Sequence, residues 1–183
     1  MADNGAVVDL TQSDEDEQAD ELKMVVPMCP MAKASVSYGP GRGGGLRAYF
    51  NNDVTRAKKQ FADHVRAAAS AQGFQMIERS QPVTIKVWCF LKRPKDDFVS
   101  KRREAGNLRP SALDNTVIAI KPDTDNLAKF VLDSLTGVVY ADDAQIVDLH
   151  MLKMRDSEGL CNGRVAFAAS RFSGDWQSLM PDF

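Results

Sequence analysis

The chain has 183 residues, 44% hydrophobic and 26% charged, with a formal net charge of −2. That is enough chain for one domain with its own core and too little for two of ordinary size. No apolar run approaches the roughly 20 residues that span a bilayer, and the N-terminus lacks the basic-then-apolar order of a secretory signal, so an intracellular protein is expected: nuclear in a eukaryote, otherwise cytoplasmic.

Charge is unevenly placed. Residues 1–23 hold eight acids and one base, Lys23, so the rest of the chain carries five more bases than acids. A basic body suits a polyanionic partner. Residues 1–23 read as a disordered acidic tail, low in apolar residues and without aromatics. One piece stands out: Val7, Val8 and Leu10 form a β-prone run followed by Asp14, Glu15, Asp16 and Glu17. Such a run can add as a strand to a partner's sheet, and it resembles a SUMO-interacting motif. A plain solvated tail accounts for it equally well.

The folded part is expected over 24–170, followed by a C-terminal tail over 171–183. Val25-Val26 and then 34–38 read as extended, a glycine-rich turn spans 39–45, and 46–50 returns as a strand. Asn52 or Asp53 is placed to cap a helix that ends at Gln72, with Gly73 at the C′ position. Val54, Phe61, Val65 and Ala68 give it an apolar stripe, and Arg56, Lys58, Lys59 and Arg66 a basic face. Alternation of Val83, Ile85, Val87, Cys89 and Leu91 predicts a strand. Residues 92–120 read as a long loop, and loops of that length are commonly functional. Its bases Lys92, Arg93, Lys95, Lys101, Arg102 and Arg103 are candidate phosphate contacts. A second helix is expected over 124–135, then short strands at 138–140, 146–154 and 164–169.

Cys29, Cys89 and Cys161 are far apart, odd in number and form no CxxC, which argues against a disulfide framework or structural zinc and for buried free thiols. His64 and His150 are isolated and read as packing or surface residues.

The segment Lys121–Gln145 carries the chemistry. On a helical wheel Asp125, Lys129 and Asp133 share one face, while Leu127, Phe130, Val131 and Leu135 face a core. Asp123 stands at the helix entrance, and Asp142 and Asp143 follow in a turn. Each has a structural explanation: Asp123 as an N-cap, Asp125 against the helix dipole, Lys129 in i,i+4 ion pairs worth a few tenths of a kcal/mol. Gathered in space, such carboxylates repel unless a cation joins them, and hard oxygen donors select Mg2+ or Mn2+.

The stretch KPDTDNLAKFVLDSLTGVVYADDAQIVDL resembles the RusA family of Holliday-junction resolvases, whose hallmark is roughly K-P-D-x-D-N-L-x-K-x-x-x-D-x-L-x-G-x-x-x-x-D-D-x-Q. Arg93-Pro94-Lys95, Lys153 and Lys33 extend the resemblance, which covers about 25–170. Where the family has an arginine-rich N-terminal segment, this chain has Ala32-Lys33-Ala34-Ser35-Val36-Ser37. The resemblance implies an α+β single domain, a small mixed sheet with two main helices packed on it. It implies metal-binding acids at Asp123, Asp125 and Asp143, an essential lysine at Lys129, supporting roles for Asp133 and Asp142, and a homodimer acting on four-way DNA junctions. Asn126 and Gln145 are candidates to orient those groups, and Lys33 joins the candidate DNA contacts. On this reading Asp123, Asp125 and Asp143 should converge within reach of one or two Mg2+ ions. A catalytically inactive junction-binding scaffold, and an interaction protein working through its acidic tail, are the competing readings.

Overall fold

The computed structural model describes residues 21–32, 37–40, 43–44, 46–49, 52–100 and 102–174. The Val7–Leu10 run, Lys33, Lys101 and the 175–183 part of the tail lie outside them.

The strands are β1 (Glu21–Val26), β2 (Ser37–Pro40), β3 (Leu46–Tyr49), β4 (Val83–Leu91), β5 (Ile146–Arg155) and β6 (Arg164–Arg171). The helices are α1 (Asn52–Ala71), the single turn α2 (Pro110–Leu113) and α3 (Thr124–Leu135). Four strands form one mixed sheet in the order β1-β6-β4-β5, with β4 and β5 parallel and the other neighbours antiparallel; β2 and β3 form a separate hairpin. This is the expected α+β architecture.

Periodicity explains the layers. In β4, Val83, Ile85, Val87, Cys89 and Leu91 are all buried, because alternate side chains of a strand point to one face. On α1, Val54, Ala57, Phe61, Val65 and Ala69 are buried, and on α3, Leu127, Phe130, Val131 and Leu135. All belong to one core cluster, with Phe61 of α1 edge-on to Phe130 of α3 (centroids 5.9 Å apart) and against Phe167 of β6 (6.4 Å). The helices therefore cover the same sheet face. Gly73 (φ 65°) and Gly137 (φ 74°) sit just past the ends of α1 and α3 in the left-handed region, where a side chain is strained.

Four expectations change. Glu21–Lys23, placed in the acidic tail by composition, belong to β1: Leu22 and Val26 are fully buried and the strand pairs along β6, with the charge on its exposed positions. Asn52 and Asp53 lie inside the first turn of α1. Residues 138–140 form a turn, tied by single bridges of Tyr140 to Ile77 and Thr136. The 92–120 excursion is built from two 3-10 turns, α2, and a bridge between Phe98 and Leu108, around a small core of Phe98, Leu108, Ala112 and Cys161. All three cysteines are free, with Cys89 and Cys161 buried and Cys29 half-buried; burial pushes the Cys89 thiol up to about 12.

Candidate active site

Asp123 occupies the N-cap position of α3 with extended backbone, and its carbonyl accepts from the Leu127 amide (3.2 Å). Its carboxylate makes no capping bond. Asp125 follows in the first turn and Lys129 one turn later; all three are exposed. Among the described residues the side chains of Asp123, Asp125 and Lys129 have no hydrogen-bond or ion-pair partner. The side-chain cap expected of Asp123 and the ion pairs expected of Lys129 are thus unused, while Asp125 keeps its favourable place in the first turn. Neither i,i+4 pair of Lys129 forms, and Asp133 instead pairs with Lys58 of α1 at 2.5 Å, tying the two helices together.

Asp123 borders an open cavity of about 770 Å3 whose other walls include Ile118, Ile120, Lys121, Thr124 and Lys153. The approach to it is a strap along the outer edge of β5. The Arg155 amide donates to the Thr116 carbonyl (2.7 Å), Val117 bridges Met154, and Lys153 Nζ donates to the carbonyls of Ile120 and Pro122, both at 2.8 Å. The Lys121–Pro122 peptide is cis.

The second acid group is built as a rigid turn, the 3-10 segment Asp143–Gln145. Asp142 Oδ1 accepts from the Ala144 amide (3.1 Å), and Gln145 Oε1 accepts from the Asp142 amide (2.9 Å), a reciprocal capping box. The Gln145 amide nitrogen donates to the carbonyls of Glu78 (2.6 Å) and Gln81 (2.9 Å). Arg79 pairs with Asp142 at 2.7 Å. The Ala144 amide first, then Arg79, hold the Asp142 carboxyl below the usual range. Nearby, the buried Tyr140 hydroxyl donates to the Leu132 carbonyl (2.8 Å), and burial pushes its pKa up. Asp142 and Gln145 therefore serve the scaffold, and Asp143 is left exposed on it. Asn126 makes no side-chain hydrogen bond among the described residues.

The two groups do not meet within one chain. Lys153 ties the approach to Asp123 near the far end of β5, while Asp143 opens the 3-10 turn that leads into its first residue, Ile146. Seven residues of strand at about 3.3 Å each separate those points by roughly 20 Å. The length of α3, at about 1.5 Å per residue, gives a similar figure. Among the described residues no group of three Asp, Glu, His or Cys stands ready to hold a metal ion. The expected convergence of Asp143 with Asp123 and Asp125 fails in the single chain because α3 and β5 run in opposite directions between them.

The candidate phosphate contacts divide. Lys92 and Lys95 are exposed just past the end of β4, beside Arg155, whose guanidinium donates to the Lys92 carbonyl (3.3 Å). They lie at the same end of the sheet as Asp123. Arg102 is exposed and paired with Glu104 (2.8 Å), and Arg103 is half-buried. Arg93 is a correction: it is completely buried, and its guanidinium donates to the Asp156 and Ala112 carbonyls, the Asp97 carboxylate and the Ser157 hydroxyl. No donor is left facing solvent for DNA.

Sequence reasoning missed Arg79 and Lys58 as partners of Asp142 and Asp133, and the work of Lys153. No local signal marks them, since each pairs with a group more than 30 residues away.

Residues 27–161 match the family described as Endodeoxyribonuclease RusA. The uncharacterized protein YqaN of Bacillus subtilis (strain 168) is 35% identical over 127 residues, covering 67% of this chain and 83% of YqaN.

Proposed function

This chain belongs to the RusA endodeoxyribonuclease family, and we propose that it is a Mg2+-dependent nuclease that resolves four-way DNA junctions by paired symmetric nicks during recombination and repair. One observation carries the reading at the level of residues: Asp123, Asp125 and Lys129 are exposed together at the start of α3, with no side-chain capping bond and, among the described residues, no ion pair.

The donor chemistry fits a hard divalent cation, since carboxylate oxygens at a solvent-open position are what Mg2+ or Mn2+ takes. Asp123 and Asp125 would hold it, and when bound it supplies charge neutralisation and an activated water for in-line attack on a phosphodiester. Lys129, on the same helix face as Asp125, offsets charge that builds on the phosphate oxygens. Lys92 and Lys95, at the same end of the sheet, contact the DNA backbone and set affinity and salt sensitivity, not sequence choice.

Asp143 enters through a second copy. A two-fold axis near the middle of α3 and β5 would bring the Asp143 turn of one protomer toward the Asp123 end of the other. That arrangement yields two equivalent sites, as paired nicking of a two-fold junction requires. The support for this homodimer is the separation of the acids within the chain and the two-fold symmetry of the substrate.

The deciding experiment is cleavage of a synthetic four-way junction in Mg2+. Wild type should nick opposed strands symmetrically. Asp125→Asn should abolish cutting while junction affinity, set mainly by phosphate contacts, stays within about twofold. Binding without cleavage across branched substrates in Mg2+ and Mn2+ would sink the nuclease reading and leave an inactive scaffold.

A further inference from the structure

Lys153 is the eighth residue of β5, and on a basic protein it invites assignment as one more phosphate contact. Its ammonium is otherwise engaged: Nζ lies 2.8 Å from both the Ile120 and the Pro122 carbonyl oxygens. A charged donor on a carbonyl makes a stronger bond than a neutral one. Both bonds fall on the last turn of chain before Asp123.

The strap from Thr116 to Pro122 has no helix or strand of its own and is tied to β5 at three places: Thr116 to Arg155, Val117 to Met154, and these two carbonyls to Lys153. The first two ties are backbone contacts that many sequences could make. The third is the side-chain tie nearest α3. The Asp123 carboxylate makes no capping bond and, among the described residues, no other, so it stands where the backbone puts it. On one side that backbone is set by α3, through the Asp123 carbonyl and the Leu127 amide. On the other the nearest tie is that of Lys153 to the Ile120 and Pro122 carbonyls.

We infer that Lys153 is a positioning residue for the carboxylate of Asp123: it holds the Ile120–Pro122 backbone so that Asp123 is presented to the cation, and acts through Asp123 without touching DNA. This rests on the metal-dependent reading above. The lysine suits the task because its compact ammonium carries three donors on a flexible stem, enough for two carbonyls at once.

The two roles separate by measurement. A phosphate contact contributes to junction affinity and to its salt dependence. A residue that orients a ligand contributes to metal affinity, with losses typically about tenfold to a hundredfold on removal. In full-length protein, Lys153→Met should weaken Mn2+ binding, titrated by electron paramagnetic resonance without DNA, by about tenfold or more. The Mg2+ concentration for half-maximal junction cleavage should rise in parallel, and junction affinity and its salt slope should not change. Lys153→Arg, which keeps charged donors, should recover most of the Mn2+ affinity, and Lys153→Gln, with an uncharged amide, part of it. Unchanged Mn2+ affinity in a folded Lys153→Met protein overturns the inference. So does a loss of junction affinity with a shallower salt slope and normal Mn2+ binding. Should Lys153→Met not fold, the Gln variant decides by the same Mn2+ titration: reduced affinity supports the inference and wild-type affinity overturns it. A wild-type protein that cuts no branched DNA, yet loses Mn2+ binding in Lys153→Met, would defeat the proposed activity and leave the inference standing.

Discussion

The Arg93 guanidinium is bonded to two backbone carbonyls, a carboxylate and a hydroxyl, with no exposed surface. It joins the end of β4 to α2 and to the turn that enters β6, and so closes the 92–120 excursion over its own small core. A buried cation persists only where its donors are paired, and arginine's planar fork can satisfy several acceptors at once. Arg93→Met removes that hub and leaves Asp97 and two carbonyls unpaired. Chemical denaturation should show a loss of about 3–5 kcal/mol, the usual cost of breaking a buried pair. Junction affinity of the folded protein should fall little. A large loss of affinity with normal stability would return Arg93 to the DNA surface.

Among the elements, the Asp142–Gln145 turn shows two hallmark residues, Asp142 and Gln145, engaged in holding the backbone. Gln145 is buried, caps the turn through Asp142 and reaches back to Glu78 and Gln81, so one amide fixes the turn against the approach to β4. The Asp142 carboxyl, held low by the Ala144 amide and Arg79, contributes stability that is complete above its unfolded pKa and lost as pH falls through the depressed folded value. Around neutrality the turn is therefore insensitive to pH. Gln145→Leu strips partners from two carbonyls and the Asp142 amide, and thermal or chemical unfolding should show a loss of about 1–3 kcal/mol. Cleavage should drop with it through displaced Asp143, while Mn2+ affinity at the Asp123 end changes less. A stable variant with wild-type cutting would show that the box is dispensable.

For the whole molecule, the decisive feature is that α3 leads away from Asp123 and β5 leads back, so Asp143 lies at the opposite end. If Asp143 works in trans, subunit mixing gives a specific result. Asp125→Asn and Asp143→Asn proteins should each be inactive alone. Mixed by co-refolding, they form a heterodimer in which one composite site has both acids intact and the other has neither. That mixture should nick one strand of the junction and not the opposed one. No recovered nicking in a mixture shown to contain the heterodimer would place Asp143 in the same site as its own Asp125, or outside the site altogether.

Local sequence determined a good deal here. Period-2 alternation in Val83–Leu91 and period-3.6 spacing in Thr124–Leu135 place β4 and α3 with their observed bounds, because burial on one face is a local pattern. Asp123, Asp125 and Lys129 were legible as a unit for the same reason, being neighbours along one helix. Glu21–Lys23 were not, since β1 is a strand by virtue of pairing with β6, a contact formed across the whole chain. Nor were the fates of the charged residues. Whether Arg93 faces solvent, whether Asp133 meets Lys129 or Lys58, and whether Lys153 holds carbonyls or phosphate depend on what stands opposite each side chain in space. The spacing of Asp143 from Asp123 belongs to that class too: closeness in the hallmark is closeness along the chain, and the antiparallel course of α3 and β5 turned it into distance.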